Sequence, residues 1–372
     1  MPGCSLGNDP LEIRLVALPG LEHVLGEEAR EAGFKVTSID TGGVNLAGDW
    51  PTVWRANLTL RGAGRVLVRL GSFRAMHLAQ LDKRARKFPW GEMFRANVPM
   101  KVDVTCKKSK IYHAGAARQR VERAIAEELG APLAEDAAQR VMVRIEDDLC
   151  TISVDSSGAP LHQRGHKQAV GKAPLRETMA ALFLRQAGYT GTEPVVDPMC
   201  GSGTIPIEAA EIARGLLPGR SRAFAFERFA NFHADAWEAM RKVPGAETDL
   251  KFIGSDRDAG AVRMATENAE RARVSGDVVL RNHAVSDAEP PEGPPGLVLT
   301  NPPYGGRIGN KKLLFGLYGA LGEVLRTRFK GWRVGIVTSE PSLAKATGLA
   351  VKQAGAPVQH GGLKVGLWLG NV

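Results

Sequence analysis

Val195-Val196-Asp197-Pro198-Met199-Cys200-Gly201-Ser202-Gly203-Thr204 is the stretch on which the fold reading turns. A β-branched run, a proline and a glycine-rich turn lead into Ile205–Leu217, whose apolar residues fall at helical spacing. Strand, turn and helix follow from that pattern. Gly201 and Gly203 let a ligand approach the backbone, because no Cβ stands in the way. A Gly-x-Gly alone also marks plain strand–helix turns; the whole Asp-Pro-x-x-Gly-Ser-Gly-Thr directly after a strand is more specific. The third glycine of the dinucleotide fingerprint is missing and no lysine follows as in a P-loop. Neither a diphosphate nor a triphosphate is favoured.

Outward from this turn, strand and helix patterns alternate. Arg176–Gln186 reads as a helix, Lys251–Ser255 as a strand, Ala259–Val274 as a helix and Val278–Arg281 as a strand. Leu297–Thr300, Arg333–Thr338 and the pair Pro357–Gln359 and Val365–Leu369 read as further strands, with helices over Lys311–Lys330 and Ser342–Ala354. This alternation is the signature of an α/β fold with a mostly parallel, doubly wound sheet, here with an antiparallel edge. The first 155 residues differ, with short α+β elements at Leu11–Ala17, Leu21–Ala32, Val36–Ile39, Gly43–Leu46, Arg65–Leu70, Lys101–Cys106, Gly115–Leu129, Val141–Ile145 and Thr151–Val154.

Ligands of open α/β sheets sit at the carboxyl ends of the strands, which directs attention to three strand ends. Asp197 closes the first. Asp256 closes the second and suits two ribose hydroxyls, although it stands much further along than the roughly 20 residues of a dinucleotide fold. An insertion over Arg214–Asp249, rich in aromatics (Phe224, Phe226, Phe229, Phe232, Trp237), accounts for the excess. Asn282-His283-Ala284 follows the third strand, where an acidic residue usually holds an adenine amino group, so Asn282 or backbone is expected to serve instead. Asn301-Pro302-Pro303-Tyr304 then follows Leu297–Thr300. The Asn301 amide oxygen and the Pro302 carbonyl are two acceptors able to hold the N–H bonds of a planar amino group, and Tyr304 offers a face on which a base can stack. Such an amino nitrogen is a weak nucleophile, and orienting it supplies much of the rate. The four residues point to methylation of a conjugated nitrogen and suit guanine N2 and adenine N6 alike.

Composition narrows the partner. At 372 residues two or three domains are expected. No apolar run approaches the roughly 20 residues of a membrane span, and the N-terminus lacks a signal peptide's basic and apolar regions. The four cysteines are scattered without metal-binding spacing, so a cytoplasmic protein without a metal is expected. Between Arg61 and Arg123, 16 Lys and Arg stand against 4 Asp and Glu, so this stretch carries the whole net charge of +9 and more. Phe73, Phe88, Trp90, Phe94 and Tyr112 interleave with the charges. Basic charge with aromatics favours RNA, and Arg74, Lys107, Lys108, Lys110, Arg118, Arg164, Lys167 and Arg307 are the expected contacts.

Taken together, Asp197–Thr204, Asp256 and Asn301–Tyr304 resemble the class I, S-adenosylmethionine-dependent amino methyltransferases. Leu161-His162-Gln163-Arg164-Gly165, Ala173-Pro174-Leu175-Arg176-Glu177-Thr178 and Asp197–Ala210 are similar to the bacterial large-subunit rRNA guanine-N2 methyltransferases. Phe88-Pro89-Trp90 and Ser109-Lys110-Ile111-Tyr112-His113 resemble a ferredoxin-like segment followed by a THUMP RNA-binding domain. The resemblance implies a ferredoxin-like segment over 1–60, THUMP over 61–155, a linker over 156–172 and a Rossmann-like methyltransferase domain over 173–372. It implies N2-methylation of a guanosine in structured RNA, 23S rRNA first, with the acceptor stem of tRNA as alternative and adenine N6 of nucleic acid as a more distant one. S-adenosylmethionine is the implied cofactor, held by Asp197, Pro198, Met199, Cys200, Gly201, Ser202, Gly203 and Asp256, with Asn282 and His283 at the adenine end. Asn301, Pro302, Pro303 and Tyr304 are the implied catalytic turn. Methylation of a protein glutamine fits the same turn but not the basic N-terminal third.

Overall fold

The computed structural model describes residues 10–168, 175–305 and 311–372. In chain order the N-terminal part runs β1 (Leu11–Val16), α1 (Glu22–Glu31), β2 (Lys35–Asp40), β3 (Gly43–Gly48), α2 (Trp50–Thr59), β4 (Arg65–Arg74), α3 (Leu78–Arg86), α4 (Trp90–Met93), β5 (Met100–Lys107), α5 (Ala114–Glu128), β6 (Gln139–Glu146) and β7 (Leu149–Asp155). After it come α6 (Glu177–Gln186), β8 (Val195–Asp197), α7 (Thr204–Ala213), α8 (Ala234–Arg241), β9 (Phe252–Asp256), α9 (Ala259–Ala272) and β10 (Val278–Asn282). The chain closes with β11 (Leu297–Thr300), α10 (Lys311–Arg328), β12 (Arg333–Thr338), α11 (Pro341–Ala346), β13 (Lys352–His360) and β14 (Leu363–Asn371). None of the helices described is long and apolar enough to cross a membrane.

These elements form two compact units. One holds the described residues up to Val16, together with Ala29–Leu161 and Arg222–Lys242; the other holds Ala17–Glu28, His162–Ser221 and Val243–Val372.

In the first unit a seven-stranded sheet has the order β2-β3-β1-β4-β7-β6-β5. Alternation in β1 buries Ile13 and Leu15, the period-2 pattern of a strand with one face in the core. β4 pairs with β1 on one side and β7 on the other, so the expected border at residue 60 runs through one continuous sheet. α2 starts at Asp49, whose side chain accepts from the Thr52 amide at 2.9 Å, with Pro51 in its first turn; both are ordinary helix-start signals.

Residues 222–242 depart from the expectation of an insertion within the second domain. Their aromatic side chains complete the core of the first unit. Phe226 lies against Trp54 at 6.1 Å and Trp237 at 4.9 Å, and Phe229 meets the edges of Trp50 at 5.8 Å and Phe94 at 5.9 Å. Backbone bonds hold the segment in place, Phe226 N to Ser156 O at 3.1 Å and Ala230 N to Met93 O at 3.0 Å. So many large rings in one stretch need a core to bury them, and the first unit supplies it.

The second unit is built on a seven-stranded sheet ordered β10-β9-β8-β11-β12-β14-β13. β10, β9, β8, β11 and β12 are parallel, whereas β14 runs antiparallel to both β12 and β13. The reversal of strand order beside β8 puts the ends of β8, β9 and β11 around one crevice. The expected helix over Ser342–Ala354 stops at Ala346, and β13 takes its last residues. Gly348 stands at φ +66, a left-handed turn that ends the helix.

Phe226 is fully buried, so Phe226→Ala should destabilise the first unit by about 3–5 kcal/mol. Urea unfolding followed by tryptophan fluorescence checks this; a loss below about 1 kcal/mol would mean that residues 222–242 merely lie on that core.

Candidate functional site

The second unit contains a cavity of about 660 Å³ lined by Asp197–Ser202, Asp256, Arg257, Val285, Asn301–Pro303 and the first two turns of α10. That volume is in the range of small-molecule sites, about 300–1,000 Å³.

One wall is the turn after β8. Gly201 takes φ +54 and Gly203 φ +81, left-handed conformations that side chains resist. The two glycines have different reasons. A Cβ on Gly203 would stand 3.0 Å from Ala265 Cβ and 3.2 Å from Ile207 Cδ1, so this glycine serves helix packing and does not line the cavity. Around Gly201 no described heavy atom lies within 4 Å of that position, and it faces the cavity.

The turn is tied to its neighbours by hydrogen bonds. The Gly201 amide donates to Asp256 Oδ2 at 3.0 Å, and the Cys200 amide to Ser255 O at 2.9 Å. The Asp258 amide donates to Asp256 Oδ1 at 2.9 Å. Each Asp256 oxygen thus accepts one backbone bond and keeps further acceptor capacity. Asn282 donates its amide to Asp256 O at 2.9 Å, and His283 Nδ1 lies 2.9 Å from Ala284 O. Neither residue lines the cavity; Val285 does. The expected contacts at the adenine end therefore brace the strand end, with Arg257 and Val285 on the wall instead.

Asp197 is buried at the floor. Its Oδ1 accepts from Thr300 Oγ1 at 2.7 Å and from the Met199 amide at 3.1 Å. Burial pushes its carboxyl up to about 7, with the charge on Asp256 adding to the rise and the two hydrogen bonds opposing it. Burial likewise pushes the Cys200 thiol far up, which leaves it a neutral wall residue.

Thr300 leads into Asn301-Pro302-Pro303-Tyr304. Asn301 Oδ1 is buried with no hydrogen-bond partner among the described residues. An orphaned buried acceptor is costly, and this one belongs to a side chain on the cavity wall. Pro302 and Pro303 also line the cavity. Tyr304 does not: it is fully buried. Tyr318 of α10 donates its hydroxyl to Pro303 O at 3.4 Å from beneath the turn. The expected stacking face of Tyr304 is thus covered by the protein, because the ring turns into the core.

Arg164 and Lys167 correct the expected RNA footprint. Arg164 is 1 % exposed and bridges Glu208 at 2.5 Å and Glu211 at 3.4 Å. The Lys167 side chain is 8 % exposed, donating to Leu175 O at 2.7 Å and Thr204 Oγ1 at 2.8 Å beside Glu177 at 3.4 Å. Burial draws the Lys167 ammonium down and Glu177 opposes it. Leu175 and Thr204 line the cavity, so Lys167 supports its wall. Arg164's acidic partners stand more than forty residues on in sequence, whereas Lys167 meets Glu177 only ten residues on.

The other expected contacts lie in the first unit. Arg74, Lys107, Lys108 and Lys110 are exposed near the β6–β7 turn, with Tyr112 83 % exposed close by. Arg74 donates to Asp147 O at 3.2 Å, the Lys110 amide to Asp148 Oδ1 at 2.8 Å, and Lys107 meets Glu146 at 3.2 Å. Arg118 is held by Glu122 at 2.8 Å and by Glu135. Arg307 lies outside the described residues. Among the described residues no group of three His, Cys, Asp or Glu is placed to hold a metal.

Comparison with known proteins adds to this geometry. Residues 164–365 match the family model of the RMKL-like methyltransferase domain, and residues 12–67 that of the RlmL ferredoxin-like domain. A Synechocystis protein named as a candidate RNA methyltransferase is 32% identical over 361 residues, covering 92% of each chain. The ribosomal RNA large subunit methyltransferase K/L of Syntrophotalea carbinolica is 35% identical over 91% of this chain and 51% of its own. The chain thus spans about half the length of the K/L relatives it matches. Among solved structures, a Listeria monocytogenes protein described as a predicted N6-adenine-specific DNA methylase has a TM-score of 0.86 at 29% identity, covering 97% of this chain and 96% of its own. SMU.472, described as a methyltransferase complexed with SAH, has a TM-score of 0.87 at 27% identity, covering 98% and 99%.

The position of Asp197 carries a pH signature. Its carboxyl titrates near 7 when folded, against 3.8 for the ordinary group, so the folded state binds more protons between these values. The stability this contributes is complete below about pH 4 and is lost as pH rises towards 7. Asp197→Asn should therefore match wild type near pH 4 and gain up to about 4 kcal/mol over it by pH 8. Parallel pH-stability curves without ligand that never diverge would refute this.

Proposed function

The chain belongs to the RMKL-like methyltransferase-domain family, and on that premise we propose that it methylates the exocyclic N2 of a guanosine in structured RNA, 23S rRNA first, with S-adenosylmethionine as donor. The observation that carries the reading is the Asn301 Oδ1, an unsatisfied buried acceptor on the wall that also holds Asp197–Ser202 and Asp256. An orphaned acceptor suits an incoming N–H, and the open face of Gly201 suits a ligand pressed against backbone.

Asp256 would take the ribose hydroxyls with its remaining lone pairs. Pro198–Ser202 would lie along the cofactor, with Arg257 and Val285 flanking the adenine. Held there, the cofactor would supply a sulfonium methyl to the amino nitrogen, leaving as a thioether, while the nitrogen's proton would pass to water. Asn301 Oδ1 and the Pro302 carbonyl accept from the two N–H bonds and hold the nitrogen lone pair towards the methyl. Asn301 stays neutral throughout; it orients and stabilises positive charge that develops on nitrogen. A base within a helix must be extruded to reach the site.

The RNA target draws on the K/L relatives and on the basic first unit, whose exposed Arg74, Lys107, Lys108 and Lys110 would meet phosphates in the manner of a THUMP region. A tRNA acceptor stem would use the same chemistry. Adenine N6 is a second reading, favoured by the name of the Listeria protein and compatible with Asn301–Tyr304. Incubation of unmodified rRNA, tRNA and duplex DNA with labelled cofactor, then nucleoside mass spectrometry, separates the three. N2-methylguanosine in rRNA is expected; product confined to tRNA, or N6-methyladenine alone, would replace the proposal.

Asn301→Ala should lower kcat by about 10²–10³-fold while SAH affinity stays within a few-fold, as measured by single-turnover transfer and calorimetry. A joint change to alanine at Lys107, Lys108 and Lys110 should weaken RNA binding and reduce the log K against log salt slope by about 2–3. An unchanged slope would remove these lysines from the interface.

A further inference from the structure

The first two turns of α10 are unusual for a helix. Lys312, Leu313, Gly316 and Leu317 all line the cavity, a spacing that puts them on one flank. Leu313 is 63 % exposed. Gly316 is also exposed and sits inside the helix, where glycine is less favourable than alanine.

A helical glycine is ordinarily explained by a positive φ or by a neighbour that leaves no room for a Cβ. Gly316 has neither reason. It is absent from the positive-φ residues, and no described heavy atom lies within 4 Å of where its Cβ would stand. Gly322 of the same helix is the contrast: its Cβ would fall 1.8 Å from Thr347 O. The room left at Gly316 belongs to the cavity and not to a neighbouring element.

We infer that Leu313, Gly316 and Leu317 form the slot for the acceptor base, the glycine leaving the gap into which the flat ring slides. This rests on the methyltransferase reading above. Three observations assign the slot to the acceptor and not to the cofactor. Exposure rises across the cavity, from Asp197, Cys200, Ser202 and Thr204, all buried, to Leu313 and Gly316. A base carried by a macromolecule enters from the solvent side, where the α10 flank lies. Asn301, whose buried Oδ1 has no partner among the described residues, lines the same cavity. And Tyr304, fully buried, presents no face there, so apolar contact with the base falls to Pro303 and Leu313.

The test uses the full chain with Gly316→Ala, Gly316→Leu and Leu313→Ala. Three quantities are read: thermal melting, SAH affinity by calorimetry, and steady-state methyl transfer to the RNA that wild type modifies. Gly316→Ala should melt no lower than wild type, bind SAH within twofold, and raise KM for RNA tenfold or more. Gly316→Leu should abolish transfer while SAH still binds, and Leu313→Ala should raise KM for RNA severalfold. Loss of SAH affinity in Gly316→Ala would assign the gap to the cofactor and overturn the slot. A lowered melting point for Gly316→Ala with transfer unchanged would make the glycine structural and overturn it equally. Wild type that methylates no RNA would overturn the functional reading together with the slot; active wild type matched by Gly316→Leu would overturn the slot alone.

Discussion

The hydrogen bond from Thr300 Oγ1 to Asp197 Oδ1, 2.7 Å long and fully buried, joins the two strand ends on which the site is built. β8 and β11 are parallel neighbours, so their carboxyl ends emerge side by side. One leads into the glycine turn and the other into Asn301-Pro302-Pro303. The bond fixes the separation of these turns, and Gly201 N to Asp256 adds the end of β9. Three loops far apart in sequence thereby become one wall, with rigid strands behind each of them.

Much of this wall was legible in the sequence because its signals are local. A strand, a glycine turn and a helix are read within ten residues, and Asp256 and Asn301 each stand at the end of an apolar run. What was not legible depends on partners that the fold brings together. Arg164 and Lys167 carry the same charge as any surface cation until Glu208, Glu211 and Glu177 are brought against them. The rings at Phe224–Trp237 announce a core without naming it, and their partners Trp50, Trp54 and Phe94 lie more than a hundred residues earlier. Tyr304 failed for a related reason: a tyrosine suits a base stack or a core equally, and only the packing of β11 and α10 decides. The Asp49 and Pro51 start of α2 was local and went unread, as did the gap at Gly316, whose meaning requires the cavity.

Charge in the first unit shows the same limit. The excess between Arg61 and Arg123 is real as a total, yet much of it is engaged within the fold. Arg86 meets Asp82, Glu127 and Glu128, and Arg123 meets Asp82 as well. Exposed pairs of this kind add little stability, but they pull cationic heads back from a passing polyanion. The turn between β6 and β7 is different: Asp148 Oδ1 accepts from the Lys110 amide, the Asp147 amide donates to Lys107 O, and the Lys108 and Lys110 side chains are exposed. Position as well as number decides where a phosphate finds a cation.

The cavity collects groups that the apo fold leaves at a disadvantage. Burial raises the Asp197 carboxyl at the floor to about 7, Asn301 keeps an acceptor without a partner among the described residues, and Gly316 forgoes a side chain where alanine would find space. Where such departures line a cavity together, they fit a site shaped for something it does not itself contain. A cation near Asp197, an N–H at Asn301 and flat apolar matter over Gly316 would relieve all of them at once. That combination describes a sulfonium donor and a planar amine acceptor more narrowly than any one of the residues does alone.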